Sequence, residues 1–412
     1  MSAPNVIVNQ TNGNLGRSSA SKDGIALLIA TGVAVTDEFA LNDLLGPFKS
    51  IEDAEAKGID ADYDVTNSCQ VWRHIHDFYS EAGRGHELHV MVVADTVLMK
   101  DMVDKTNLTT GVKKALIALK GEVRLVGVSR VPDGAYTPTF ATELEQDVLD
   151  AIDNAKELVD AEFTAFRPIQ VLIEGRNWQG DVAATLDLRD PDDGPNANRV
   201  SVIIGQDLDV ADDTDNEQAG YACVGKLLGR AARIQVQRNV ARAKDGALTE
   251  MVNGGFSNNE AINTLDDTDV DTLNDKGYIF IRSYTGKAGL FFNDDHTACP
   301  IDDDYAFISR GRPADKATRI ARTVYLDEML DDIQIDPDSG KMDASTCKHY
   351  ESIIEDAIGT QMVSQGELSG VNAFVDADQN VLQDDEVDVQ LNIVPKGTAR
   401  RIVVDQSYAL KL

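Results

Sequence analysis

The sequence predicts an α/β fold: a layered, mainly parallel sheet with helices over the N-terminal two thirds, then an α+β C-terminal domain, with extended arms at both ends. Two features carry the prediction. Apolar runs of strand length alternate with helical patterns up to about Asn253, and there the composition turns polar before a different set of elements begins.

The candidate strands are 24–30, 87–94, 122–128, 169–174 and 200–205, each rich in Val, Ile and Leu without strict alternation. Such runs suit strands buried on both faces. Between them, Leu144, Val148, Ile152, Ala155 and Val159 recur at helical spacing and predict a helix over 142–163, opened by a Thr142/Glu145 capping box. Strand–helix alternation of this kind argues for a parallel sheet. The stretch "NGGFSNNEAINTLDDTDVDTLNDKG" is polar and reads as a linker, 253–276. After it, "GYIFIRSYTGKAGLFFNDDHT" reads as two β-runs joined by a turn, with Tyr278, Phe280 and Arg282 on one face and Ile279 and Ile281 on the other. Helices follow near 314–333 and 346–362, and Val387, Val389, Leu391 and Ile393 alternate before a "PKG" turn and a last β-run. The expected domains are an N-terminal arm (1–22), an α/β region (23–252), the linker, an α+β domain (277–394) and a C-terminal arm (395–412).

Composition narrows the function. The chain carries 70 acidic against 38 basic side chains, a formal charge of −32. Such a surface is repelled by nucleic acid and by anionic lipid unless its cations are gathered in one place. The four cysteines, Cys69, Cys223, Cys299 and Cys347, are far apart and form no Cys-x-x-Cys pair, which disfavours a zinc knuckle or a disulfide framework and fits a reducing compartment. No basic segment followed by an apolar run opens the sequence and no 18 apolar residues run together, so neither a signal peptide nor membrane insertion is expected.

Motifs with chemical potential dissolve on inspection. "GYACVGKL" has the glycine and lysine spacing of a P-loop, but Leu227 stands where a magnesium-binding hydroxyl is needed, and an acidic loop, not a strand, precedes it. Its glycines suit a closely packed helix. His74, His76, His86 and His89 fall near one another, yet "GHELH" sets two histidines three apart at the entry to a strand, where they point to opposite faces. In "DADQNVLQDDEV", Asp376, Asp378 and Asn380 take the first ligand positions of a calcium loop, whereas Val381 replaces the turn glycine and Val387 the bidentate glutamate. No catalytic constellation, cofactor cradle or metal set is expected.

Two basic islands stand out from the acidic background. "SRGRPADKATRIAR" holds Arg310, Arg312, Lys316, Arg319 and Arg322, the last three sharing one side of a helix that starts at Pro313. "GRAARIQVQRNVARAK" holds Arg230, Arg233, Arg238, Arg242 and Lys244. Either island pairs with the chain's own carboxylates or faces an acidic partner.

The order "GYIFIRSYTGKAGLFFNDDHT", "DDDYAFISRGRPADKATRIAR", a long helix and "DVQLNIVPKGTARRIVVDQSYAL" resembles the C-terminal third of contractile tail sheath proteins of bacteriophages and related injection systems. "GIALLIATG", "LLGPFKSIEDAEAKGI" and "VWRHIHDFYSEAGRGHELHVMVV" extend the resemblance into the N-terminal half, while 175–198 lies outside it. The chain is most similar to the shorter sheath-like proteins. The resemblance implies a structural subunit that is not an enzyme and has no cofactor. It implies assembly in a bacterial cytoplasm into stacked hexameric rings around a tail tube, with baseplate and terminator proteins as further partners and a place in a virion tail or injection particle. It also implies that extended arms add strands to a neighbour's sheet, here Val6, Ile7 and Val8 at one end and Ile402, Val403 and Val404 at the other. Arg312, Lys316, Arg319 and Arg322 are then expected at a contact with the tube or another subunit. The alternatives are an α/β enzyme and a calcium-dependent binding module.

Overall fold

The protein's structure, a computed structural model, describes residues 22–337 and 340–408. Two compact units divide the chain, one running through Arg312 and the other starting at Pro313.

The first unit is built on a six-stranded sheet. Its strands lie in the order Leu44–Phe48, Leu88–Val93, Ala26–Thr31, Leu125–Ser129, Gln170–Glu174 and Val200–Ile203. All neighbours are parallel except the edge strand Leu44–Phe48, which runs against Leu88–Val93. The five parallel strands are those predicted, and in chain order they form the 2-1-3-4-5 arrangement of doubly wound sheets. Both faces are covered. Leu28 and Ala30 pack with Val71, Ile75, Phe78, Val224 and Leu228 on one side, and Leu27 and Ile29 pack with Val112, Leu116, Val148, Ile152 and Val159 on the other. This two-sided burial is why the strands read as unbroken apolar runs.

One helix start is displaced from the expectation. The long helix spans Gln146–Thr164, because Thr142 and Glu143 take positive φ angles of 44° and 68° in a tight hairpin. Glu145 does not cap; its carboxylate lies 3.6 Å from Arg176 Nε and accepts from Tyr136 Oη at 3.3 Å.

The stretch 253–276 is not a linker. Gly254–Phe256 pairs antiparallel with Gly205–Asp207, and Asp267–Asp275 forms a helix capped by Asp266, whose carboxylate accepts from the amides of Thr268 and Asp269. Polar side chains here cap and turn the chain, which hid both elements from a reading based on apolar periodicity. The following stretch forms the predicted hairpin, Ile281–Tyr284 against Lys287–Phe292, with Gly286 at φ 82°. Tyr278 and Phe280 enter one core and Ile279 and Ile281 the other. The amide of Ile279 donates to Val202 O at 2.9 Å, so this segment extends the main sheet in the first unit.

Residues 175–198, outside the resemblance, fold as ordered loops. Trp178 is fully buried with its indole donating to Thr185 Oγ1 at 2.8 Å, and Lys276 Nζ donates to the carbonyls of Val182, Ala183 and Thr185.

The second unit is α+β. Helix Ile308–Glu328 carries Pro313 in its interior, starting a turn and a half earlier than predicted, and continues with Ala317 and Ile320 in a core that also holds Ile354, Ile358, Met362 and Leu368. Helix Ala344–Ile358 is capped by Asp343 and runs into a π-helical turn, Gly359–Val363. Strands Leu368–Val375 and Val389–Pro395 pair antiparallel, with Val389, Leu391 and Ile393 against that core, as their alternation predicts.

Candidate assembly surfaces

The places where chemistry would be sought are internally bonded. In doubly wound sheets, ligands enter the crevice at the carboxyl ends of the strands where the order reverses, here between Thr31 and Ser129. Thr31 Oγ1 donates to Val131 O at 2.8 Å and accepts from its amide at 2.7 Å, while Tyr63 Oη donates to Val33 O at 2.5 Å. The Thr31–Val131 bonds bridge the crevice.

The P-loop-like stretch is a packed helix, Val224–Arg233, laid on helix Val71–Ala82. Gly225 and Gly229 face the backbone carbonyls of His74 and Phe78 so closely that a Cβ at either position would collide with them. Lys226, the would-be phosphate ligand, is fully buried with its Nζ 3.0 Å from Asp77 Oδ1. Asp77 is also 3.1 Å from Arg73 Nε. Burial alone would raise the Asp77 carboxyl, but the two cations hold it below its usual value.

His74 closes a second buried chain. Gly225 N donates to its Nδ1 at 3.3 Å, so Nε2 carries the proton toward Ser129 Oγ at 2.7 Å. Ser129 Oγ in turn donates to Glu174 Oε2 at 3.1 Å. Serine, histidine and carboxylate are thus in line, but the histidine is fully buried and burial lowers it to about 4. It is a neutral crosslink between helix and sheet. His86 and His89 are also buried, and His76 lies 3.6 Å from Glu250. The calcium-like loop is bridged by a cation of the protein itself, Lys341 Nζ at 2.6 Å from Asp378. All four cysteines are free and buried.

Four of the five cations in the second basic island, Arg230, Arg233, Arg238 and Arg242, bond within the chain. Arg230 is buried, with Nε 2.8 Å from Glu81 and its other nitrogens on the carbonyls of 245–247. Arg242 and Arg238 approach Asp245 Oδ1 at 2.7 and 3.7 Å, and Arg233 donates to Asp245 O at 3.0 Å.

The first island is split. Arg312 is buried and donates to Ala231 O at 2.8 Å and Asp23 O at 3.2 Å, a role in the first unit's own packing. Lys316 is mostly covered and pairs with Glu367 at 2.7 Å. Arg319 is half-buried and Arg322 exposed. A sequence cannot separate these four, since all sit at helical spacings from one another.

At the C-terminal end, residues 401–408 form neither helix nor strand and are exposed. The expected strand is absent, and among the described residues none forms a ladder with it. Ile402, Val403 and Val404 are 79%, 71% and 80% exposed, an unusual state for three successive β-branched residues. Val6, Ile7 and Val8 lie outside the described residues. Among the described residues, no helix is long and apolar enough to cross a membrane.

Residues 3–296 match the family described as DUF2586, N-terminal domain, and residues 304–412 match DUF2586, C-terminal domain. No curated protein matches the sequence. Among solved structures, the chain is similar to one in the baseplate of the anti-feeding prophage, at TM-score 0.63 and 14% identity, covering 100% of both chains. It is equally similar to one in the helical sheath of the same particle in its contracted state, at TM-score 0.63 and 14% identity over 99% of this chain and 100% of that one. A chain of the contracted sheath complex of PVC, an extracellular contractile injection system, matches at TM-score 0.60 and 12% identity over 100% of this chain and 99% of its own length. Fold likeness to sheath chains therefore runs from end to end, and with both of its halves matched the chain belongs to the DUF2586 family.

Proposed function

We propose that the protein is the structural subunit of a contractile sheath, polymerising helically and shortening to drive an inner tube through a target envelope. The observation that carries this reading is the end-to-end likeness to a chain of a contracted helical sheath. Local order agrees with it, because the crevice where an α/β enzyme would work is bridged by the protein's own bonds. Partners follow from the same reading: further copies of the chain in stacked rings, a baseplate, a tail tube and a terminator. Assembly takes place in a bacterial cytoplasm, before the particle leaves the cell.

The arms 1–22 and 395–412 serve as linkers between subunits, with Ile402, Val403 and Val404 supplying a strand to a neighbour's sheet. Exposure of these three residues supports this, since apolar β-branched side chains gain by moving from water into a pleated, half-buried site. Within the first basic island, Arg319 and Arg322 are placed at the tube or at another subunit, with Arg312 and Lys316 holding the helix that presents them. Contact of this kind is heterologous, the type that builds open helices.

Electron microscopy of the purified protein, alone and with its tube protein, tests the proposal. Striated hollow cylinders or stacked rings of uniform diameter are expected. A protein that stays small and monodisperse at high concentration in every salt and with the tube protein present refutes it.

A further inference from the structure

In the second unit, strands Leu368–Val375 and Val389–Pro395 form a two-stranded sheet with two outer edges. The two edges differ. Helix Ala344–Ile358 turns a pair of carboxylates toward the first: the amide of Ala373 donates to Glu355 Oε1 at 2.7 Å and the amide of Val375 to Glu351 Oε1 at 3.0 Å. Asn372 Nδ2 donates to the same Glu355 oxygen at 3.2 Å, and Lys348 bonds the other oxygen of Glu351. The spacing fits, because four residues of helix and two of strand each rise about 6–7 Å, so carboxylates one turn apart meet alternate amides.

In an antiparallel pair, residues directly opposite share one orientation, both toward the partner strand or both away from it. Ala373 and Val375 turn their amides away, toward the helix, so their opposites Leu391 and Val389 turn theirs away as well, and Ile393 follows at the next alternate position. Among the described residues no strand lies along that second edge. The side chains of Val389, Leu391 and Ile393 pack on the unit's core but remain half-buried. An open edge beside a half-covered apolar row is a template for another strand. Residues 401–408 of the same chain stand off it, exposed and without a ladder. Laid beside Val389–Pro395, Ile402 and Val404 would continue the row of Val389, Leu391 and Ile393, since alternate residues share a face.

We propose that Glu351 and Glu355 are edge-closing residues that make this sheet a one-sided acceptor: they occupy the outward amides of Leu368–Val375, so that segment 401–408 of a second copy adds only beside Val389–Pro395. The second copy as source rests on the strand-donation reading above. A single open edge gives every incoming strand the same place, whereas two would admit it on either side of the hairpin. Donor and acceptor then lie on different parts of each copy and link copies head to tail.

The acceptor is tested on the isolated protein with a synthetic peptide of residues 399–408, read by residue-resolved amide hydrogen exchange. Without peptide, the amides of Ala373 and Val375 are expected to exchange about tenfold more slowly than those of Leu391 and Ile393. Saturating peptide should slow Val389, Leu391 and Ile393 by about tenfold and leave Val371, Ala373 and Val375 unchanged. A peptide N-methylated at both Val403 and Val404, one of whose lost donors faces the sheet in any register, should have no effect. Protection along Leu368–Val375, or along neither edge, overturns the one-sided acceptor. Glu351→Ala/Glu355→Ala should speed exchange at Ala373 and Val375 to the rate of Leu391 and let the peptide protect both edges, while Glu351→Gln/Glu355→Gln, which keeps the accepting oxygens, should behave as wild type. If circular dichroism shows that the alanine pair does not fold, Glu355→Ala alone, at the less buried of the two positions, should release Ala373. Folded alanine variants that still protect one edge only overturn the two glutamates as the closing residues. In polymer the amides of Val389, Leu391 and Ile393 should be protected without peptide. If polymer forms and they exchange as in the isolated protein, the edge is overturned while the sheath reading stands; should no polymer form, the sheath reading fails while the peptide titration still decides the edge.

Discussion

Lys226 Nζ and Asp77 Oδ1 meet at 3.0 Å between two helices, with both side chains fully buried. The contact joins the residue that made "GYACVGKL" look like a nucleotide site to the helix that carries His74, and it shows that residue working as a structural cation. Removing one partner of such a pair leaves a buried charge uncompensated, although Arg73 stays beside Asp77. Lys226→Met is therefore expected to destabilise the protein by about 3 kcal/mol, the low end for a broken buried pair. Urea unfolding reads this directly, and a change within about 0.5 kcal/mol, the range of ordinary surface substitutions, would show that the pair is not integral to the fold.

The same helix pair depends on its glycines. A methyl group at Gly229 would press on the Phe78 carbonyl, which is backbone and cannot swing away. Gly229→Ala should cost about 1–3 kcal/mol through overpacking, despite the better helix propensity of alanine. A melting temperature equal to or above wild type would mean that the helices separate without penalty.

Titration of three buried groups in the first unit has a defined sign. Burial pushes Asp64 up to about 6, against the amides of Arg73 and Trp72 that favour its charged form, and burial likewise pushes Asp207 up to about 6 against Arg73. A carboxyl raised in the folded state binds its proton more readily there than in the unfolded chain, so its contribution to stability falls as pH rises from about 4 to about 6. His74 works the other way. Its folded value of about 4 lies below the ordinary 6.5, so stability is lost as pH falls through that interval. The two can be separated by variants. Relative to Asp64→Asn, the wild type should lose stability between pH 4 and 6; relative to His74→Asn, it should gain stability between pH 4 and 6.5. Denaturant unfolding across the range checks both slopes, and parallel curves would contradict the assignments.

The basic residues of helix Ile308–Glu328 should separate into two classes. Arg312→Ala strands the carbonyls of Ala231 and Asp23 and should lower stability by about 1–3 kcal/mol in the monomer. Arg322→Glu, at an exposed position, should leave monomer melting nearly unchanged and weaken polymer formation. Equal loss of monomer stability in both variants would assign the whole island to internal packing.

Truncation after Arg401 removes the exposed Ile402, Val403 and Val404. It should leave circular dichroism and melting of the monomer unchanged and abolish cylinders. Melting many degrees lower would place the segment in its own core and end the strand-donation reading.

The sequence by itself determined which five runs build a mainly parallel sheet, but not their order or the antiparallel edge strand Leu44–Phe48. The five parallel strands are covered on both faces, so each had to be an unbroken apolar run, and such runs are visible without any partner in view. The hairpin around Gly286 and the strand Val389–Pro395 were equally legible, because turn chemistry and period-two alternation are local properties. Likeness to sheath chains was also readable, from the order of β-runs, turns and a basic helix. Tertiary structure alone decided what each charge does. Arg312, Lys316, Arg319 and Arg322 follow one another at helical spacing and carry the same charge, yet the first bonds buried carbonyls, the second pairs with Glu367 51 positions further on, and the last stands exposed. Likewise, the strand Gly254–Phe256 within 253–276 exists only through its remote partner Gly205–Asp207. Apolar burial leaves a periodic trace along the chain, because a whole face must be hydrophobic. A hydrogen bond or an ion pair needs only one residue at each end, and nothing in the spacing announces which two will meet.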